Sequence, residues 1–195
     1  MTNRLEPVPP SRRFTVAEYH QLIACGVLED GGPIELIEGS LVFKPPHNPL
    51  CANTVTKLVK RLFHLAPAGW EVQSQLPVTL ADSEPEPDAV LARGGAKTFA
   101  DHHPEPAEVG LVIEVADSSR YADRTEKLRM YARAGIAVYW IVNVSDKQVE
   151  VYTDPDPLAD PPVYRTRTDY KPGDSVPVVL DGTAVAHLAV SELVS

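Results

Sequence analysis

Residues 108–116, EVGLVIEVA, constrain the fold more than any other stretch: they form a near-continuous apolar run with one carboxylate, Glu114, inside it. A strand with one solvated face alternates, so an unbroken apolar run reads as a strand covered on both faces. An ionised carboxylate there costs several kcal/mol unless it is paired or metal-bound, so Glu114 demands a partner. The segment DRTEKLRMYARAG that follows reads as the clearest helix of the chain. Asp123 is its expected cap, Glu126 completes a capping box, and Gly135 stands at the C-terminal left-handed position. AVYWIVNV is a second buried strand, and strand, helix and strand over 109–144 make one right-handed crossover with parallel strands. The expected class is therefore α/β (α+β), a mixed central sheet flanked by helices.

The remaining segments supply the flanks. Thr15 with Glu18 three residues later is a capping-box spacing, which predicts a helix closing near Gly26. PIELIEGSLVFK reads as a hairpin turning at Glu38-Gly39-Ser40. LCANTVTKLVKRLFHLA puts Val55, Leu58, Val59, Leu62 and Phe63 on one helical face. WEVQSQLPVTL alternates as a strand, PDAVLA is a short strand, and KQVEVYT pairs with AVYWIVNV across a Ser145-Asp146 turn. The 19 prolines, about twice the usual share, mark stiff loops between these elements. Residues 1–13 read as a loose arm and 14–195 as one domain, a size in keeping with 195 residues.

Bulk properties narrow the function. No apolar run approaches the roughly 20 residues that span a bilayer, and the N-terminus lacks a secretory apolar core, which points to the cytoplasm. Cys25 and Cys51 have no neighbours at metal-ligand spacing and read as buried or partly buried thiols. No glycine-rich phosphate loop is present, so nucleotide-binding folds lose ground. The net charge of -9 counts against tight, nonspecific nucleic-acid binding. A metal bound by carboxylates offsets part of it, and basic residues concentrate at Lys57–Lys60–Arg61 and Arg120–Arg124–Lys127–Arg129–Arg133.

Three positions stand out. Asp88 opens the PDAVLA strand, Glu114 interrupts its apolar run, and Lys127 lies on the first turn of the next helix. Two carboxylates on adjacent strands can share a hard cation such as Mg²⁺ or Mn²⁺. Such an ion activates water, and a nearby ammonium stabilises charge on a transferring phosphate. That is the equipment of phosphodiester hydrolysis.

PEPDAV followed by LVIEVADSSRYADRTEKLRMYARAGIAVYWIV resembles the Uma-type restriction-endonuclease family, part of the PD-(D/E)xK nuclease superfamily. PIELIEGSLV, PPHN and VQSQLPVTL are similar to the family's upstream segments, so the resemblance covers roughly residues 14–155, most specifically 111–142. It implies a restriction-endonuclease-like fold and a DNA substrate. Asp88 and Glu114 would be metal ligands and Lys127 the catalytic lysine. Glu35 would be an accessory acid, with Gln75 and His47 close to the cleft. The superfamily's lysine position, two residues after the acid, is Ala116 here, so the lysine must come from the helix, thirteen residues on. A dimer would suit an enzyme that cuts both strands.

Plainer readings stand beside these. Glu114 can be a buried ion pair with Lys127 and no metal, in a noncatalytic interaction or scaffold domain that keeps the nuclease fold. Lys127 alone can be a helix lysine paired with Asp123 at i,i+4. Glu35 on an exposed edge strand, His47 as a loop histidine and Asp117 as a strand-end cap are equally ordinary. His102-His103 reads as solvated, and Met130, Tyr131, Tyr139 and Trp140 as core. A hydrolase of smaller phosphoesters would share the site and differ in cleft shape.

Overall fold

Local chemistry starts each element. In helix α1 (Val16–Ala24) the Thr15 side chain accepts from the Glu18 amide and the Glu18 carboxylate receives the Thr15 amide, the expected capping box. This is a computed structural model, and it describes residues 12–95, 97–117 and 122–194. Most of the expected arm, and Arg120, lie outside the described residues. Strands β1 (Ile34–Ile37) and β2 (Ser40–Phe43) pair from Ile37↔Ser40 outward. Their turn is Glu38-Gly39, with φ of 47° and 73° at the two residues. Two left-handed residues give the turn a twist that matches the strands, and Gly39 takes its φ without a Cβ penalty.

Helix α2 (Pro49–Leu65) begins where Asn48 Oδ1 accepts from the Cys51 amide at 2.9 Å. Its buried stripe is Cys51, Thr54, Val55, Leu58 and Leu62. Phe63, expected on that stripe, is instead 60% exposed. It lies about 100° round the helix from Leu62, beyond the width of the face the sheet covers. Of the two thiols, Cys51 is buried, but Cys25 is exposed at the end of α1, contrary to expectation.

The central sheet has the order β3 (Trp70–Gln73), β4 (Ala89–Arg93), β5 (Val109–Ala116), β6 (Val138–Asn143), β7 (Gln148–Asp156), β8 (Val163–Tyr170). Every neighbouring pair is antiparallel except β5 and β6, the expected crossover pair. All eight residues of β5 are buried, because both sheet faces are covered. One face carries α2, the hairpin β9 (Ser175–Leu180) with β10 (Thr183–Ala189), and the short α4 (Val190–Leu193). The other carries the β1–β2 side and the crossover helix, with Tyr131, Tyr139 and Ile141 in its core.

Two further expectations need correction. The strand expected over 70–80 ends at Gln73, because Gln75 turns to a φ of 54° and Pro77 offers no donor. Beyond it, the Gln75 and Val78 amides bond to the carbonyls of Pro87 and Pro85 rather than to a ladder. The crossover helix opens with a π turn, Asp123–Lys127, before α3 (Leu128–Arg133). No side chain caps that opening. Asp123 is buried, and its carbonyl oxygen accepts from the Tyr139 hydroxyl. Gly135 does end the helix with a φ of 73°. Among the described residues no helix is long and apolar enough to cross a membrane.

Candidate active site

The antiparallel register that pairs Ala89 with Ile113 brings Asp88, one residue earlier, to the level of Glu114. Both carboxylates are buried, at 2% and 4% exposure. Asp88 Oδ2 accepts from the Val115 amide at 2.7 Å and Oδ1 meets His47 Nε2 at 2.8 Å. The Ser74 hydroxyl holds the Asp88 carbonyl at 2.8 Å. The strand end is therefore tied from both sides, and the carboxylate has little freedom to turn.

Lys127 reaches the same place from the π turn. Its Nζ donates to Glu114 Oε1 at 2.8 Å, the Tyr131 hydroxyl donates to that oxygen at 3.1 Å, and Asp123 Oδ1 lies 3.8 Å from Nζ. Glu35 closes the set from the hairpin. It is 3% exposed, its Oε1 accepts from the Glu86 amide at 2.7 Å, and Lys44 Nζ stands 3.6 Å away. An exposed edge strand no longer explains it. These residues line one cavity of about 150 Å³, whose wall includes Asp88, Glu114, Lys127, Glu35, His47 and Asp123.

Gln75 is exposed and outside this cavity. It lines an adjoining groove in which Lys44, Pro45, Pro46, His47 and Glu86 form another wall. Asp117 is bonded to Asn48 Nδ2 at 2.9 Å and to the Ser145 hydroxyl, tying β5 to α2 and to the turn after β6. His102 and His103 are exposed, and Tyr139 and Trp140 are core, as expected. Sequence reasoning passed over Lys44 as a cavity residue and Tyr131 as the core hydroxyl that bonds Glu114. The first could have been found from the hairpin register, which sets Val42 opposite Glu35.

Electrostatically the site is a nest of acids around the Lys127 ammonium, with the Lys44 ammonium at its hairpin wall. Burial pushes the Glu114 carboxyl up against the pull of Lys127, and the charges of Asp88 and Asp123 push the same way. Burial alone would favour neutral Lys127, but Glu114, Glu35 and Asp123 overcome it and hold the ammonium protonated. His47 is raised chiefly by its hydrogen bond to Asp88, against partial burial.

Among the described residues no three His, Cys, Asp or Glu side chains already converge as a metal cage. The donor chemistry nevertheless fits a hard divalent ion. Asp88 and Glu114 offer oxygens on adjacent strands, and Mg²⁺ needs only one or two carboxylates because it keeps several of its waters. Two like-charged carboxylates packed at one level also favour a cation between them.

The chain matches the family described as "Uma2: Putative restriction endonuclease" over residues 16–187. It is similar in structure to a chain described as "a putative nuclease belonging to DUF820" from Anabaena variabilis, with a TM-score of 0.71 and 18% identity. That likeness covers 92% of this chain and 97% of the other, and at such identity it speaks for the fold. No curated protein matches.

Proposed function

The chain belongs to the Uma2 family of restriction-endonuclease-like proteins, and from that membership and the cavity's side chains we propose that it is a Mg²⁺- or Mn²⁺-dependent endonuclease hydrolysing phosphodiester bonds of DNA. The observation that carries the reading is that two buried acids from neighbouring strands and a part-buried lysine from the crossover helix line one cavity. Asp88 and Glu114 would hold the ion. When bound, it supplies a water of lowered pKa and polarises a phosphoryl oxygen.

The chain's own residues do the rest. Asp88 cannot rotate away, because the Val115 amide and His47 hold its two oxygens. Lys127 presents a permanent positive charge beside Glu114, where it can face the transferring phosphate and orient the attacking water. Glu35 and Lys44 form the hairpin wall and keep that side charged but balanced. A homodimer would let two such sites cut opposite strands. The cytoplasm, where thiols stay reduced, suits the free Cys25 and Cys51.

Melting curves with and without Mn²⁺, together with plasmid nicking, test the reading. Mn²⁺ should raise the melting temperature of the wild type and not of Asp88→Ala, and nicking should disappear in Lys127→Ala. No Mn²⁺ shift in the wild type, or an equal shift in Asp88→Ala, would remove the metal site.

Two observations favour a second reading. The closed Glu114–Lys127 pair is complete without a metal, and the net charge is -9, as a noncatalytic scaffold domain would have. In that case Glu114→Gln would lower stability and leave the Mn²⁺ response unchanged.

A further inference from the structure

Glu150 on β7 is wholly buried, at 0% exposure, and takes no part in the cavity. Its carboxylate receives Arg124 Nε at 2.8 Å, the Tyr152 hydroxyl at 2.8 Å, Asn143 Nδ2 at 3.1 Å and Gln148 Nε2 at 3.3 Å. Arg167 Nη2 lies 3.4 Å away. A second Arg124 nitrogen, Nη2, bonds the other carboxylate oxygen, so the guanidinium is held in a two-point grip.

The register shows where this lies. Glu114 pairs with Ile141 across β5 and β6, and Ile141 pairs with Glu150 across β6 and β7. The two glutamates therefore occupy one cross-strand row on the same sheet face, two strands apart, about 10 Å at the backbone. The π turn lies over that row. Lys127 is bonded to Glu114 and Arg124, three residues earlier, to Glu150. No side chain caps the start of the turn, and from the sheet the Tyr139 hydroxyl donates to the Asp123 carbonyl at 3.2 Å. Side-chain pins thus set how this segment seats, and a shift of one residue would carry both cations off their acids together.

We infer that Glu150 is a positioning residue for Lys127: by gripping Arg124 it seats the π turn in the one register that lays the ammonium on Glu114. An ion pair that merely stabilised the domain would place no demand on Lys127. The activity arm of the test rests on the nuclease reading, and the labelling arm does not.

Native-state acylation of lysines with an amine-reactive ester, read by mass spectrometry with exposed Lys60 as internal reference, follows the seating of Lys127 directly. In folded Glu150→Gln the Lys127/Lys60 labelling ratio should rise at least about tenfold, because the turn opens locally. Should Glu150→Gln fail to fold, Arg124→Gln, at a side chain that is 32% exposed, carries the same comparison. In Mn²⁺-dependent nicking, folded Glu150→Gln should fall at least about tenfold below wild type, with the loss in kcat rather than in KM for DNA, because Lys127 is present but displaced. A labelling ratio equal to wild type in a folded variant would overturn the inference, as would a folded Glu150→Gln protein that nicks DNA at the wild-type rate. A wild type that nicks no DNA would count against the nuclease reading and leave the labelling result to decide the positioning role.

Discussion

At the scale of single residues, Glu114 and Glu150 show how one sheet face keeps two buried carboxylates by different means. Glu114 shares its lysine with other acids, so removing it leaves Lys127 part-buried beside Asp123 at 3.8 Å and without its shortest partner. Breaking a buried pair from one side costs about 3–5 kcal/mol, so Glu114→Ala should lose about that much in urea denaturation. An unchanged midpoint would show that the pair carries no stability. Glu150 is the opposite case. Burial raises its carboxyl, but the hydrogen bonds from Arg124, Asn143, Tyr152 and Gln148 together outweigh burial and hold it at about 2. A carboxyl lowered on folding adds stability that is present above its ordinary value of 4.5 and is lost as pH falls from there towards about 2. Wild type should therefore lose stability over that acid range more steeply than Glu150→Gln, which urea midpoints at successive pH values will show. Glu114 was legible from its strand alone, whereas Glu150, in a segment read only as pairing with AVYWIVNV, carried no mark of burial or of a cationic partner.

At the scale of elements, the close approach of β5 to its cover sets a sharp limit. A Cβ on Gly110 would come within 2.5 Å of the Trp70 ring and 2.8 Å of Leu180. Gly110→Ala should therefore destabilise by about 1–3 kcal/mol through overpacking, checked by thermal or denaturant melts. The hairpin has its own clamp. Glu38 at its turn receives Arg129 Nε at 2.9 Å, and Arg133 Nη2 lies 2.9 Å from the same oxygen, which fastens the β1–β2 wall of the cavity to the crossover helix. Glu38→Ala should speed amide exchange in β1 and β2 while leaving β5 and β6 protected; equal change in all four strands would mean the clamp acts globally. The capping box of α1 and the double-faced burial of β5 were readable because both arise from neighbours in sequence. The short β3 and the π turn were not. Their ends are set by the carbonyls of Pro85 and Pro87 and by Tyr139, partners distant along the chain.

At the scale of the whole molecule, a net charge of -9 and a cavity crowded with acids would link the binding of any cation to overall stability. If Mn²⁺ binds only the folded protein, a concentration one hundred times its dissociation constant should add about 2.7 kcal/mol, visible as a concentration-dependent melting temperature. A melting temperature that stays flat across that titration would contradict such linkage. The sequence by itself determined the class of fold and the parallel pair β5 and β6, and it singled out Asp88, Glu114 and Lys127, which line one cavity. These follow from apolar periodicity, local capping and motif order. Only the tertiary structure decided that Glu35 is buried at the cavity, that Gln75 faces the neighbouring groove, and that Lys127 arrives on a π turn pinned beside Glu150. Those features depend on cross-strand register and helix seating, which are contacts between residues far apart in sequence that no local pattern encodes.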